Sequence, residues 1–125
     1  KYVARVKGHL KKDEGQINLP IIVDWPNRPQ QKVCTETGKK AFTHYKVLDR
    51  EPQNISRVEL YPITGRSHQL RLHMKAIGHP IIGDPIYADN ATFKASNRLE
   101  LHSHSLQINH PKTKMLKLFS VEVPF

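Results

Sequence analysis

The segment ITGRSHQLRLHMKAIGHPIIGDPIY, residues 63–87, contains the clearest change of pattern in the chain. Leu70, Met74 and Ile77 follow one another at the spacing i, i+4 and i+7, which places them on one face of a helix. Gly78 comes directly after this face and suits the turn that ends a helix. The segment therefore predicts a short amphipathic helix that stops at a glycine.

On both sides of this helix, apolar and polar residues alternate, which is typical of half-buried strands. Residues 2–6 are rich in β-branched and aromatic side chains, and residues 42–47 and 57–62 flank a polar run that suits a hairpin connection. Further strands are predicted at 31–35, 101–109 and 115–123, with a charged turn at 11–16, an irregular loop at 24–29 and a polar excursion at 88–98. Consecutive strands with one helix predict an α+β fold, in which residues 1–125 form a single domain around a largely antiparallel sheet.

The charge of the chain favours a polyanionic partner. Its 125 residues carry a formal net charge of +9, with a pI near 9.9. Lys and Arg side chains that neutralise phosphates bind nucleic acid independently of base sequence, although a basic soluble protein could also need its charge for solubility alone. No run of about 18 apolar residues is present, so no membrane-spanning helix is expected. The single Cys34 excludes an internal disulfide and suits a reducing compartment.

Hydrogen-bond donors are concentrated where the predicted helix begins. They belong to Arg66, Ser67, His68 and Gln69, and Ser67 is the N-cap candidate. Backbone N–H groups also point outward at a helix N-terminus, so this cluster suits a phosphate or a carboxylate. Taken alone, the same residues fit a capped surface helix with solvated arginines slightly better.

The eight histidines raise the question of a metal site. His68 and His73 are five positions apart, whereas two ligands on one helix face are four apart. His79 and His110 each precede a proline, where a turn function is expected. We therefore expect no metal ion in this protein.

The segment 63–87 resembles the substrate-site motif of the RluA-type pseudouridine synthase family, GR(T/S)HQ(I/L)R followed by a short helix and GHP(I/L)xGDxxY. Residues 1–4 resemble the family's tyrosine motif, 38–45 its GKxAxTxY segment and 98–111 its RLxLH…HP segment, in the same order. The resemblance thus covers nearly the whole chain. The residues that match the main motif are Gly65, Arg66, Ser67, His68, Gln69, Leu70, Arg71, Gly78, His79, Pro80, Ile81, Gly83, Asp84 and Tyr87.

The resemblance implies an enzyme that detaches uracil from its ribose, rotates it and rejoins it through carbon 5, without a cofactor or a metal. The base is flipped out of the RNA, and an aspartate in an HRLD motif performs the nucleophilic chemistry. Because the chain has no HRLD, we expect it to be the C-terminal part of the catalytic domain and to be inactive by itself. The implied partner is ribosomal RNA and possibly transfer RNA, since loop 24–32 resembles the family member that acts on both. We expect a cytoplasmic protein that is a monomer when intact.

The resemblance also implies which residues form the site. Tyr2 corresponds to the tyrosine that stacks on the target base, and Arg71 to the arginine that pairs with the catalytic aspartate. Leu101 is the candidate for the apolar residue beneath the base, although Leu99 could take its place in the register. The expected substrate-binding residues are Arg28, Arg66, Ser67, His68, Gln69 and Leu101.

Arg71 allows a test on coordinates. If its carboxylate partner lies outside the chain, the side chain should be open to solvent, or hold a water, an anion or one of the chain's own acidic side chains. We expect exposure, because removing one partner of a buried ion pair costs about 3–5 kcal/mol. Arg71→Ala should then barely change the stability of the chain. A deeply buried, well-formed ion pair between Arg71 and one of the chain's own carboxylates would overturn the assignment, because it would give the arginine a structural function that needs no aspartate from upstream.

Two rival classes stay open at this level. A non-catalytic RNA-binding module would keep the sheet and the basic loops without the aspartate, and a metallohydrolase would use the histidines. An HRLD motif encoded upstream of Lys1 would favour the enzyme, and a genuine start codon at this point would favour the module.

Overall fold

The architecture follows from seven strands and two helices in a computed structural model, which describes residues 1–66 and 68–103. The elements are β1 (Tyr2–Lys7), β2 (Glu14–Asn18), β3 (Ile21–Val23), a 3-10 turn (Trp25–Asn27), β4 (Gln31–Val33), β5 (Phe42–Glu51), β6 (Ile55–Pro62), α1 (Gln69–Ala76), α2 (Asn90–Lys94) and β7 (Leu101–Ser103). Five strands form one antiparallel sheet in the order β2-β5-β6-β1-β7, and β3 pairs with β4 in a separate hairpin. The predicted α+β fold with a largely antiparallel sheet is confirmed.

The core lies between one face of the sheet and α1. Val58 and Leu60 of β6 have no exposed surface, because alternate residues of a strand point to the same side. Leu70 and Met74 belong to the same buried cluster, as the i, i+4 spacing predicts, and Ile77 packs against it from the C-cap. Burying a side chain of this size contributes about 1.5–3 kcal/mol, so this cluster fixes how α1 lies on the sheet.

Both ends of α1 are marked by a positive φ. The N-cap is His68, with φ 55°, so the prediction placed the cap one position too early; Ser67 itself lies outside the described residues. At the other end the predicted glycine turn is confirmed, since Gly78 has φ 92°. The N–H groups of Gly78 and His79 donate to carbonyl oxygens of the last turn at 2.9 and 2.8 Å, which is a Schellman motif.

Several elements differ from the prediction. β2 begins inside the stretch expected to be a charged turn, because a strand at the edge of a sheet tolerates charged side chains. β3 was not predicted, and α2 lies within the polar excursion, where Asp89 caps it by accepting a hydrogen bond from the N–H of Thr92. Of the predicted strand 101–109, the structure describes only residues 101–103, which form β7. The predicted strand 115–123 lies outside the described residues.

Candidate functional site

A pocket of about 390 Å³ opens between the N-terminal half of α1, the end of β6 and the β1/β7 pair. Most of the residues expected in the site line it: Tyr2, Arg66, His68, Gln69, Arg71 and Leu101. Pro62, Thr64, Gly65, Leu70 and Leu99 complete the wall. Arg28 does not line this pocket, and Ser67 lies outside the described residues.

The register of the β1/β7 pair brings Tyr2 and Leu101 to the same side of the sheet. Ala4 lies opposite Leu101, and Tyr2 shares a face with Ala4 because successive side chains of a strand alternate. Tyr2 is half-buried and packs against the core. Both Leu99 and Leu101 contribute apolar surface beside it.

Arg71 is not open to solvent, so that expectation is wrong. Its Nε and Nη2 atoms donate to the two carboxylate oxygens of Asp84 at 3.0 and 2.8 Å, and the Arg71 side chain is only 15% exposed. The guanidinium also lies over the ring of Tyr87, 5.3 Å from the ring centroid, in a cation–π arrangement. This ion pair gives Arg71 a structural function that needs no carboxylate from elsewhere, which is the outcome that counts against Arg71 as an arginine reserved for the catalytic aspartate.

The expectation that Arg71 is exposed was wrong because it assumed that a guanidinium pairs with only one carboxylate. A guanidinium carries five N–H donors, and a side-on pair through Nε and Nη2 leaves a second edge that contains Nη1. Among the described residues, Nη1 of Arg71 makes no hydrogen bond. Arg71 lines the pocket whereas Asp84 does not, and the second edge keeps donors that the pair with Asp84 does not use.

Asp84 ties α1 to the turn that follows it. The carboxylate has no exposed surface, and burial by itself would raise its pKa. Hydrogen bonds from Arg71 and from the N–H groups of Ile86 and Tyr87, at 2.9 and 3.1 Å, outweigh burial and hold the pKa of Asp84 below its usual value. Asp84 is therefore a buried anion with four donors directed at it.

Tyr87 connects this turn to the pocket wall. Its hydroxyl accepts a hydrogen bond from the N–H of Gln31 at 2.8 Å and lies 2.7 Å from Nδ1 of His68. The hydroxyl proton is then available for Nδ1, so a neutral His68 carries its own proton on Nε2. Burial, together with the charge of Arg71, lowers the pKa of His68 and favours this neutral form.

Gln69 lines the pocket, but its amide is occupied within the protein. Its Nε2 donates to the carbonyl of Phe42 at 2.6 Å and to the hydroxyl of Thr43 at 3.0 Å. Its Oε1 accepts from the hydroxyl of Thr64 at 2.6 Å and from the N–H of Arg66 at 3.2 Å. Both donors and both lone pairs are used, so Gln69 supports the wall and does not present its amide to a substrate.

The hydrogen-bond chain from Gln69 continues to His73, which is fully buried. Nε2 of His73 lies 2.8 Å from the carbonyl oxygen of Leu19, and Nδ1 lies 2.8 Å from the hydroxyl of Thr43. A carbonyl only accepts, so Nε2 carries the proton and Thr43 donates to Nδ1. Burial lowers the pKa of His73 and outweighs the bond to Leu19, which acts in the opposite direction, and the bond that Thr43 donates to Nδ1 requires the neutral form.

We expect the free energy of unfolding to fall as the pH decreases below about 6.5, the ordinary pKa of histidine. In that range His73 becomes protonated in the unfolded chain but stays neutral in the folded chain, because burial lowers the pKa of His73 in the folded state. His68 adds to the effect in the same direction. Urea unfolding at about pH 7.5 and about pH 5.5 measures the loss. His73→Gln should reduce this pH dependence, and an unchanged dependence would contradict the role of His73.

The two remaining arginines of the expected site lie on exposed surface. Arg66 donates through Nε to the carbonyl of Lys40 at 3.0 Å, beside a second cavity of about 360 Å³ that β3, Lys39 and Arg66 help to line. At the tip of the β3–β4 hairpin, Arg28 lies over the ring of Trp25 at 4.9 Å, and Trp25 is 63% exposed. The hairpin thus combines exposed cations with an exposed aromatic ring.

No group of three His, Cys, Asp or Glu side chains that could hold a metal ion occurs within residues 1–66 and 68–103. His68 and His73 are engaged with protein partners instead, as described above. Over the same ranges, no helix is long and apolar enough to cross a membrane.

The chain matches the family model for RNA pseudouridylate synthase over residues 1–76, which is more than half of its length, and it belongs to this family. It is 55% identical over 124 residues to the dual-specificity RNA pseudouridine synthase RluA of Yersinia pestis, covering 99% of this chain and 60% of that protein. The protein of the same name from Escherichia coli K12 is 57% identical over 110 residues, covering 88% of this chain and 50% of the relative. The chain therefore spans between half and three-fifths of the length of these relatives.

Solved structures give the same result for the fold. The human protein RNA pseudouridylate synthase domain containing 1 superposes with a TM-score of 0.74 at 30% identity, covering 86% of this chain and 48% of that one. The human protein RNA pseudouridylate synthase domain containing 4 superposes with a TM-score of 0.61 at 24% identity. The match covers 83% of this chain and 51% of the human chain, and it shows similarity of fold alone. The family resemblance stated from the sequence is confirmed.

Proposed function

We propose that the protein to which this chain belongs converts uridine to pseudouridine in RNA. The observation that carries the proposal is the pocket, in which Tyr2, Arg71 and Leu101 line one cavity although they are far apart in the sequence. These are the residues that the family motifs imply, and the family match supports the same activity.

The pocket wall suits a uracil base. The ring of Tyr2 offers a stacking surface, and Leu99 and Leu101 add apolar area beneath it. Stacking of a base on an aromatic side chain contributes about 1–3 kcal/mol. His68, with its proton on Nε2, provides a neutral hydrogen-bond donor at the rim for a uracil carbonyl or a phosphate.

The nucleophile is proposed to come from a part of the protein outside residues 1–125. The support is that no Asp or Glu of the described residues lines the cavity. In the pocket, the proposed catalytic aspartate meets the second edge of Arg71. A guanidinium at this position keeps the carboxylate ionised in a site that is closed over a base, because the cation offsets the loss of hydration.

We extend the proposal to large-subunit ribosomal RNA and transfer RNA as substrates, because loop 24–32 resembles the family member that acts on both, and relatives from two species are named dual-specificity enzymes. The exposed hairpin with Arg28 and Trp25 is proposed to hold RNA next to the pocket. The intact protein is proposed to act in the cytoplasm as a monomer, without a metal or a cofactor.

A direct assay tests the proposed function. The full-length protein is incubated with ribosomal and transfer RNA transcripts, and pseudouridine is quantified by mass spectrometry of the digested nucleosides. We expect close to one pseudouridine per target site. The 125-residue chain alone should make none, because its nucleophile is absent; turnover by this chain would contradict the assignment. Binding of RNA by the full-length protein without any product would support a non-catalytic module instead.

RNA binding by the chain alone should be weak and should depend strongly on salt. The basic surface around Arg28, Lys32, Lys39 and Lys40 is exposed and can make phosphate contacts. Each contact releases about one counterion, which makes the plot of log affinity against log salt concentration steeper by about one. Binding isotherms at increasing salt measure the slope. Reversing the charges of Lys39 and Lys40 should reduce it, whereas the same change at Lys11 and Lys12, which line a different cavity, serves as the control. Affinity that does not change with salt would contradict this surface.

A further inference from the structure

The arginine of the pocket is held from behind by a carboxylate that does not line the pocket. Asp84 has no exposed surface, and it contacts Arg71 through both of its oxygens. The same oxygen that binds Nη2 also accepts the N–H groups of Ile86 and Tyr87. Asp84 therefore cannot move toward the pocket without breaking the turn that contains it.

A second contact restricts the plane of the guanidinium. The ring of Tyr87 lies beneath Arg71, and the hydroxyl of Tyr87 is fixed by Gln31 and His68. Arg71 is thus restrained at one edge by Asp84 and on one face by Tyr87. The edge that contains Nη1 is the one without a protein partner in the described part of the chain.

We infer that Asp84 is a positioning residue, which holds Arg71 side-on so that the opposite edge of the guanidinium binds an anion in the pocket. An arginine that is fixed in this way loses little conformational entropy when it binds a second carboxylate or phosphate end-on. The inference rests on the proposed function only for the identity of that anion, which is the nucleophilic carboxylate.

The arrangement has an electrostatic consequence. In the described part of the chain, the groups that face Arg71 are the ionised Asp84, the phenol of Tyr87 and the neutral His68, and Tyr2 and Arg66 line the same pocket. Because Asp84 already neutralises Arg71, a second carboxylate meets a partly compensated cation. If Asp84 loses its charge, the second carboxylate should become more acidic, because like charges nearby disfavour ionisation.

The experiment compares the full-length protein with its Asp84→Asn variant in the pseudouridine assay across a range of pH. The amide retains an oxygen for the N–H groups of Ile86 and Tyr87 but loses the ion pair. We expect kcat to fall by about 10- to 100-fold with KM for RNA nearly unchanged, because Arg71 stays in the pocket but is no longer held in one orientation. The acid limb of the plot of kcat against pH should move to lower pH by about half a unit. A purely structural role would lower the amount of active protein and leave the limb in place.

Asp89→Asn is the matched control. Asp89 caps helix α2 by accepting hydrogen bonds from the N–H and the hydroxyl of Thr92, but it does not contact Arg71. Its kcat, KM and acid limb should equal those of the unmodified protein. If Asp84→Asn shares those unchanged values, the inference is wrong while the proposed function stands. If the unmodified protein makes no pseudouridine, the proposed function fails, and the following measurement still decides the inference.

Nitrogen NMR of the arginine side chains in the unmodified full-length protein needs no variant to fold. Uridine 5′-monophosphate is the probe, because its base should enter the pocket beside the edge of Arg71 that holds the nucleophilic carboxylate. We expect its addition to move the Nη resonances of Arg71 and to leave the Nε resonance in place, since Asp84 keeps that edge. Movement of Nε, which would mean that Asp84 releases the arginine, overturns the inference, and so does the absence of any movement at Arg71.

Discussion

Arg71→Ala should lower the free energy of unfolding by about 3–5 kcal/mol, the typical cost of removing one partner of a buried ion pair. Asp84 has no exposed surface, and without Arg71 its charge would keep only the N–H groups of Ile86 and Tyr87. This reverses the expectation drawn from the sequence, which assumed an arginine in solvent. Urea unfolding at about pH 7 measures the difference.

Arg66→Ala is the control for this substitution. Arg66 is exposed and makes one side-chain hydrogen bond, to Lys40, so its loss should change stability by no more than about 0.5 kcal/mol. Adding Asp84→Asn to Arg71→Ala should recover part of the loss, because a neutral amide needs no cation. Equal stability of Arg71→Ala and the unmodified protein would show that the ion pair is not formed.

In the full-length protein, the two substitutions of Tyr2 should separate two functions of this side chain. Tyr2→Phe keeps the stacking ring but loses the hydroxyl. The family resemblance implies that this hydroxyl assists proton removal, so we expect kcat to fall by about 10²- to 10⁴-fold with KM unchanged. Tyr2→Ala also removes the ring and should raise KM by about 5- to 150-fold, the equivalent of 1–3 kcal/mol of stacking. Steady-state kinetics on an RNA transcript measure both.

Tyr61 offers the matched pair of controls. It lies on β6, donates its hydroxyl to Glu59 at 2.6 Å and does not line the pocket. Tyr61→Phe and Tyr61→Ala should therefore leave kcat and KM close to their normal values. The same rise in KM for Tyr2→Phe and Tyr2→Ala would show that stacking on Tyr2 contributes little.

The parts of the fold that depend on local pattern could be predicted from the sequence. The i, i+4 spacing of Leu70 and Met74 located α1, because a helix with one apolar face must bury that face. Gly78 marked its end, because only a residue that adopts a positive φ cheaply suits a Schellman motif. In contrast, β3 is short and was missed, since three residues carry too little periodicity to be distinguished from a loop.

The pairing of Arg71 with Asp84 could not be predicted in the same way. The two residues are thirteen positions apart, and only the turn after α1 brings them together. Both residues belong to the family motif, but a sequence motif does not show which of its residues contact each other. The same limit applies to Gln69, whose position suggested a substrate contact although its amide is used by Phe42 and Thr64.

A photo-crosslink tests most directly the central claim that this pocket receives the target base. 4-Thiouridine is placed at the uridine that the assay identifies as the modified one, the RNA is bound to the full-length protein and irradiated, and the linked peptides are identified by mass spectrometry. We predict links to the peptides that contain Tyr2, Arg71 or Leu101, whose side chains line the cavity. Links confined to the hairpin around Trp25 and Arg28, with none to the pocket wall, would contradict the account.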